Sequence, residues 1–190
     1  MPPKPKFSRE EIVSAALEIV TQRGPSALTA RALGAQLGSS ARPIFTVFSS
    51  MEELRQEVRT AAMARFDSFA QIHGAEVPAF KQVGMQMIHF AMEEPKLYQL
   101  LFMSELSGAR SFEQVFRELG DTAQLCIQVI CRDYGLTEAE ARGVFEHVWI
   151  HTFGIGALWA TGMCRFPMER IQEMLSQDFA ATLAQVKAAR

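Results

Sequence analysis

Residues 28–54 read LTARALGAQLGSSARPIFTVFSSMEEL. Thr29 or its neighbour stands where a helix begins, and Ala32, Leu33 and Leu37 follow at helical spacing. Gly38 ends that run, because glycine takes the left-handed conformation of a tight turn at no steric cost. Ser39 or Ser40 is placed to cap a next helix, about Ala41 to Phe48. Pro43 falls in its first turn, where no intrahelical donor is lost. Ser50 and Glu53 have capping-box spacing and open a further helix, about Met51 to His73. Two short helices around a Gly-Ser-Ser turn form the layout of a helix-turn-helix, whose second helix enters a DNA major groove.

Upstream, Ser8 and Glu11 also have capping-box spacing, and Phe7 and Ile12 are placed as a hydrophobic staple. Ile12, Ala16, Ile19 and Val20, with Val13 and Leu17 beside them, mark one face of a first helix that Gly24-Pro25 stops. Met1 to Lys6 is a Pro-rich basic arm, expected to be disordered when free.

Downstream, Pro78, Pro95 and Pro167 stand where helices begin, and Gly74, Gly108 and Gly135 near where they end. The periodicity predicts helices at about 78–93, 95–106, 111–134, 137–161 and 167–188, with Thr137 and Glu140 as another capping box. No segment alternates with period two, so no strands are expected. The fold class read from this pattern is all-α, with about nine helices. An N-terminal helix-turn-helix head, residues 1–50, precedes a helical-bundle body, residues 51–190.

Composition narrows the function classes. At 48% hydrophobic and 21% charged residues, the 190-residue chain can bury a sizeable core. No run of 18 uncharged apolar residues occurs, and the N-terminus lacks a signal-peptide run, so no membrane partner and a cytoplasmic location are expected. Cys126, Cys131 and Cys164 form no CxxC, and their odd number argues against a disulfide framework. Net charge is −2, but it is unevenly placed. Residues 1–48 carry Lys4, Lys6, Arg9, Arg23, Arg31 and Arg42 against Glu10, Glu11 and Glu18, a net +3, while residues 49–190 carry a net −5. A basic head on an acidic body fits a chain of which only the head meets phosphate.

The first 54 residues resemble the DNA-binding domain of TetR-family transcriptional regulators. The residues that carry the likeness are Thr29, Leu37-Gly38, Ser40, Phe45, Phe48 and Ser50-Met51-Glu52-Glu53-Leu54, with Ala35 at the tightly packed position between the two helices. A weaker likeness links Glu93 to Leu106 and His147 to Gly162 with a TetR C-terminal subgroup named for a Trp, His, Gly motif; Trp149 and Gly154 match, but Phe153 replaces the usual His. Three departures remove usual phosphate contacts: Phe45 for Tyr, Val47 for His and Met51 for Lys. The resemblance implies a homodimeric repressor, released from a palindromic double-stranded DNA operator by a small apolar or amphipathic effector. It implies no cofactor and no catalysis, and no nucleophile elbow, phosphate loop or carboxylate pair argues otherwise.

The candidate DNA-binding residues are Lys4, Lys6, Thr29, Arg31, Ser39, Ser40, Arg42, Phe45 and Thr46. Arg42 lies near the start of the reading helix, and Thr46 is one α-helical turn further along the same face. Lys4 and Lys6 suit an arm entering an adjacent minor groove. Phe48 reads as core. The resemblance also implies an effector pocket in the body, with Phe66, Met87, Phe90, Tyr98, Phe102, Phe116, Trp149 and Phe153 as candidate lining. His147 and His151 have i, i+4 spacing, which suits a metal less well here than a hydrogen bond to a ligand or carbonyl, given their apolar neighbours. Gly154, Gly156, Ala157 and Ala160 permit close helix approach. With Ile171, Met174, Leu175, Phe179, Leu183 and Val186 of the last helix they suit a four-helix dimer interface. The alternative reading is a helical ligand-binding or interaction module with weak or lost DNA binding.

Overall fold

The computed structural model describes residues 5–69, 79–104 and 111–190, and it is all-α. Lys4, His73, Gly74, Pro78, Leu106 and Gly108, named above, lie outside the described residues. Nine α-helices appear among the described residues: α1 (Arg9–Arg23), α2 (Ala30–Gln36), α3 (Met51–Phe69), α4 (Ala79–Glu93), α5 (Pro95–Tyr98), α6 (Phe112–Glu118), α7 (Gly120–Tyr134), α8 (Glu138–Ala160) and α9 (Met168–Ala188). The chain forms two compact units, one of Met1–Phe66 with Glu94–Ser104 and one of Asp67–Glu93 with Glu105–Arg190.

In the first unit, local chemistry starts α1 and α2 as expected. The Ser8 side chain accepts from the Glu11 amide while the Glu11 carboxylate accepts from the Ser8 amide, closing the capping box of α1. Ile12, Ala16, Ile19 and Val20 are buried along one face of α1. They share a core with Leu33, Ile44, Phe48, Leu54 and Val58. Removing such side chains from water is the main driving force for folding. Thr29 caps α2 by accepting from the Ala32 amide at 3.1 Å.

Three expectations in this unit need correction. The segment after the turn is not a regular α-helix. Its backbone bonds run from Ile44 to Ala41, Phe45 to Arg42, Thr46 to Pro43 and Val47 to Ile44, each three residues apart, and the 3₁₀-helix proper is Ile44–Thr46. Neither Ser39 nor Ser40 caps it; its start carries no side-chain cap. The second correction concerns the close approach between the helices. Ala35 is exposed, and the buried residue is Gly34, where a β-carbon would stand 2.9 Å from the Ala41 nitrogen and the Ser40 carbonyl carbon. The tight turn brings Ser39 N to Gly34 O at 2.8 Å, so backbone lies where the side chain would be.

The stretch expected as one helix at 95–106 is α5 followed by a π-helical turn, Gln99–Met103, which ends at an extended Ser104. Arg59 of α3 donates to the Leu100 carbonyl at 2.8 Å, and Arg65 pairs with Glu94. These contacts tie residues 94–104 to α3 within the first unit.

In the second unit, α8 packs against α4, α7 and α9. Ile88, Ile155, Ile171 and Leu175 form its buried centre, with Met85, Met92, Trp159 and Met174 against them. The single helix expected at 111–134 is broken into α6 and α7. Gly120 takes φ +57°, a left-handed conformation that only glycine adopts without cost, and this restarts the chain as a new helix. Gly156 and Ala160 are buried in this unit's own packing, whereas Gly154 and Ala157 are half-buried.

Candidate nucleic-acid interface

The turn of residues 41–48 is held from behind. Ile44 and Phe48 are buried, and Gly34 lets α2 approach the turn closely. The Arg9 guanidinium lies 4.3 Å from the Phe48 ring centroid and pairs with Glu53 at 2.8 Å and Glu57 at 3.0 Å. Arg9 therefore links the start of α1 to the turn and to α3. This role has no signal in local sequence, because the two carboxylates are 44 and 48 residues away along the chain. Glu53 also accepts from the Ser49 hydroxyl and amide, each at 2.7 Å. Those bonds, and Arg9 behind them, hold its carboxyl down at about 2.

Arg42, Phe45 and Thr46 stand exposed on the outer side of this turn. Phe45 leaves 47% of its surface exposed, the opposite of Phe48 three residues on. Thr46 is not aligned with Arg42 as an α-helix would place it. In 3₁₀ winding residues i and i+3 eclipse, so Phe45 shares the face of Arg42. The Thr46 hydroxyl donates to the Pro43 carbonyl at 2.6 Å, which leaves its lone pairs and methyl to face outward.

The other candidates flank the turn. Lys6 donates to the Ser39 hydroxyl at 3.2 Å and lies 5.2 Å from the Phe7 ring centroid, so Lys6 itself lies beside the turn between the helices. Arg31 and Ser40 are exposed, and Thr29 is engaged as the α2 cap. Val47 and Met51 are half-buried, so neither replaces the polar group whose place it takes.

The candidate pocket residues fall into both units. Phe66, Tyr98 and Phe102 belong to the first, where Phe102 meets Phe66 edge-on at 5.4 Å and Tyr98 at 4.9 Å. Tyr98 is fully buried, and that burial pushes its phenol well above the ordinary range. In the second unit, Trp149 stacks on Phe153 at 5.5 Å and meets Phe112 edge-on at 5.6 Å. Phe116 packs on Phe145, and Phe90 on Phe69. Met87 is buried. An open recess of about 460 Å³ in the second unit is lined by Gln124, Ile127, Gln128, Cys131, Arg132 and Glu138, none of which is among those candidates.

His147 and His151 both face the Asp178 carboxylate of α9, at 3.1 and 3.2 Å. The i, i+4 spacing thus serves an α8–α9 pairing. Among the described residues no set of His, Cys, Asp and Glu is arranged to hold a metal ion. No helix among them is long and apolar enough to cross a membrane.

Residues 12–58 match the family of bacterial regulatory proteins, tetR family. Residues 80–182, more than half of the chain, match the tetracyclin repressor-like C-terminal domain. The chain belongs to the TetR family. It is a DNA-binding transcriptional regulator with an N-terminal DNA-binding domain and a C-terminal ligand-binding domain, and the exposed turn lies inside the first matched segment. Solved TetR-family structures share its fold. A tetR-family transcriptional regulator from Streptomyces coelicolor aligns with a TM-score of 0.74 at 18% identity, over 96% of this chain and 82% of that one. BioQ, solved with its natural double-stranded DNA operator, aligns at 0.62 and 14% identity, over 93% and 99%. A single-residue variant of TetR from Acinetobacter baumannii AYE, in complex with minocycline, aligns at 0.58 and 17% identity, over 97% and 96%. No curated protein sequence matches this chain.

Proposed function

We propose that this TetR-family regulator is a homodimeric cytoplasmic repressor, released from a palindromic operator by a small apolar or amphipathic ligand. It needs no cofactor and carries out no catalysis. Residues 1–50 form its DNA-binding domain and residues 51–190 its ligand-binding and dimerisation domain. The observation that carries DNA contact is the exposure of Arg42, Phe45 and Thr46 on a turn whose Ile44 and Phe48 are buried. Those three side chains face base edges, while Lys4, Lys6, Arg31, Ser39 and Ser40 grip the backbone and Thr29 orients α2. BioQ on its operator supports this use of the fold.

Dimerisation is supported by an apolar face in the second unit. Ile150, Gly154 and Ala157 recur at i, i+4 and i+7 on α8; Ile150 is 53% exposed and the other two are half-buried. Phe179, Leu183 and Val186 of α9 are half-buried as well. A two-fold axis through such a face would present two reading turns to successive major grooves.

The complex with minocycline supports small-molecule control in a relative of this fold. The candidate apolar lining for a ligand is Phe66, Tyr98 and Phe102 within the first unit, or Met87, Phe90, Phe116, Trp149 and Phe153 within the second. Shifting the protein from 99:1 in favour of the DNA-bound form to 1:99 requires a ligand to discriminate by about 5.5 kcal/mol. The helix beginning at Met51, which joins the two domains covalently, is the natural lever.

A gel shift with the promoter region beside its own gene, repeated over a salt series, tests the reading. Sequence-preferring, salt-dependent binding is expected, reduced by Arg42→Ala and Thr46→Ala. The absence of Tyr, His and Lys at 45, 47 and 51 favours a second reading, a module with weak or lost DNA binding. Only nonspecific binding in that gel shift would select the second reading.

A further inference from the structure

We propose that Phe45 reads a thymine C5-methyl group in the operator, close to a guanine contacted by Arg42. The inference rests on the DNA contact proposed above for this turn, and it names what the turn reads. Four successive backbone bonds three residues apart wind residues 41–47 as a 3₁₀ turn. Phe45 therefore eclipses Arg42 rather than lying to one side of it. The rise of about 2.0 Å per residue sets the two about 6 Å apart along the turn, roughly two base steps at about 3.4 Å each.

The surroundings of Phe45 decide what it can contact. Ile44 and Phe48 are 0% and 1% exposed and are used up by the core, whereas Phe45 keeps 47% of its surface exposed. A phenyl ring has no hydrogen to donate to a phosphate oxygen. The apolar group that base pairs present in the major groove is the thymine methyl, and contact with an apolar side chain is how it is read. Arg42 beside it has the geometry for guanine O6 and N7. Thr46 does not compete as a donor, since its hydroxyl hydrogen is spent on the Pro43 carbonyl. An aromatic ring laid on the sugar–phosphate backbone is the opposed arrangement, and it would carry no base preference.

The test begins with duplexes selected from a randomised pool by the full-length wild-type protein. Each thymine of the selected consensus is then replaced by deoxyuridine, which keeps base pairing and removes only the methyl. One thymine per half-site is expected, about two steps from a guanine, at which this replacement weakens wild-type binding about four-fold, the size of one apolar carbon's transfer. Phe45→Ala, checked for folding by circular dichroism, should bind thymine and uracil duplexes alike. Phe45→Tyr should keep the preference, and Arg42→Ala should weaken both duplexes without changing their ratio. A consensus with no methyl-sensitive thymine overturns the proposal. So does a Phe45→Ala protein that keeps the wild-type ratio, including one that weakens every duplex equally. If no duplex is enriched at all, the DNA contact of the turn fails together with the inference.

Discussion

A β-carbon on Gly34 would stand 2.9 Å from the backbone nitrogen of Ala41. The obstacle is backbone on both sides of the Ser40–Ala41 peptide, so no side chain can swing away to make room. Gly34→Ala is expected to cost about 1–3 kcal/mol of stability, in the range of an overpacked core. Operator affinity should fall with it, because the reading turn itself must shift. Ala35→Ser, at the exposed neighbour, should stay within about 0.5 kcal/mol of wild type. Urea denaturation of the two variants compares them directly; equal midpoints would remove Gly34 from its place in the turn.

Acid sensitivity should arise at Glu53 in the first unit and Glu140 in the second. The Glu53 carboxyl titrates at about 2 in the folded chain against an ordinary 4.5, first because of Ser49 and then Arg9. A depressed folded value means the stabilisation is complete above 4.5 and is lost as pH falls from there toward 2. Glu140 behaves likewise in the second unit, held at about 2 by Arg190 and Thr137. The variants Glu53→Gln and Glu140→Gln should each flatten the acid-unfolding curve in that window. They should leave its shape near neutral pH unchanged. A far-UV circular dichroism titration that loses no slope in either variant would contradict both assignments.

Lys6 provides a test that separates grip from reading. Its ammonium sits 3.2 Å from the Ser39 hydroxyl, beside the turn and away from the buried face. Lys6→Ala should weaken all duplexes about equally and reduce the salt slope of binding by about 1. Arg42→Ala, by contrast, should also relax sequence preference. Binding isotherms over a salt series check both, and an unchanged slope in Lys6→Ala would take the arm out of the interface.

Thiol reactivity should follow burial. Cys126 is 1% exposed, and desolvation pushes its thiol up to about 12. Cys131 and Cys164 are half-buried, and Cys131 lines the open recess of the second unit. At about pH 8, near the ordinary thiol range, iodoacetamide should label Cys131 and Cys164 first and Cys126 only on unfolding. Mass spectrometry of tryptic peptides resolves the order. Early labelling of Cys126 would mean that α7 opens readily.

The local rules were readable without a fold. Ser8, Thr29 and Thr137 each cap a helix through bonds within three residues, so spacing alone determines them. The face of α1 follows from 3.6-residue periodicity, and the all-α class from the lack of alternation. Four matters were settled only by contacts between distant segments. Which residues of the reading segment are core and which are exposed is decided by the burial of Ile44 and Phe48 within the first unit. Gly34, not Ala35, is the close-packed position because the backbone returns over it. Arg9 clamps Phe48, Glu53 and Glu57 from a helix that sequence spacing never connects to them. Residues 94–104 pack with α3 in the first compact unit, although α4 precedes them in the chain. Hydrogen bonds at helix ends are short-range and leave their mark in residue spacing. Burial and ion pairing act between segments that only the folded chain brings together, and these decide which side chains remain exposed for DNA.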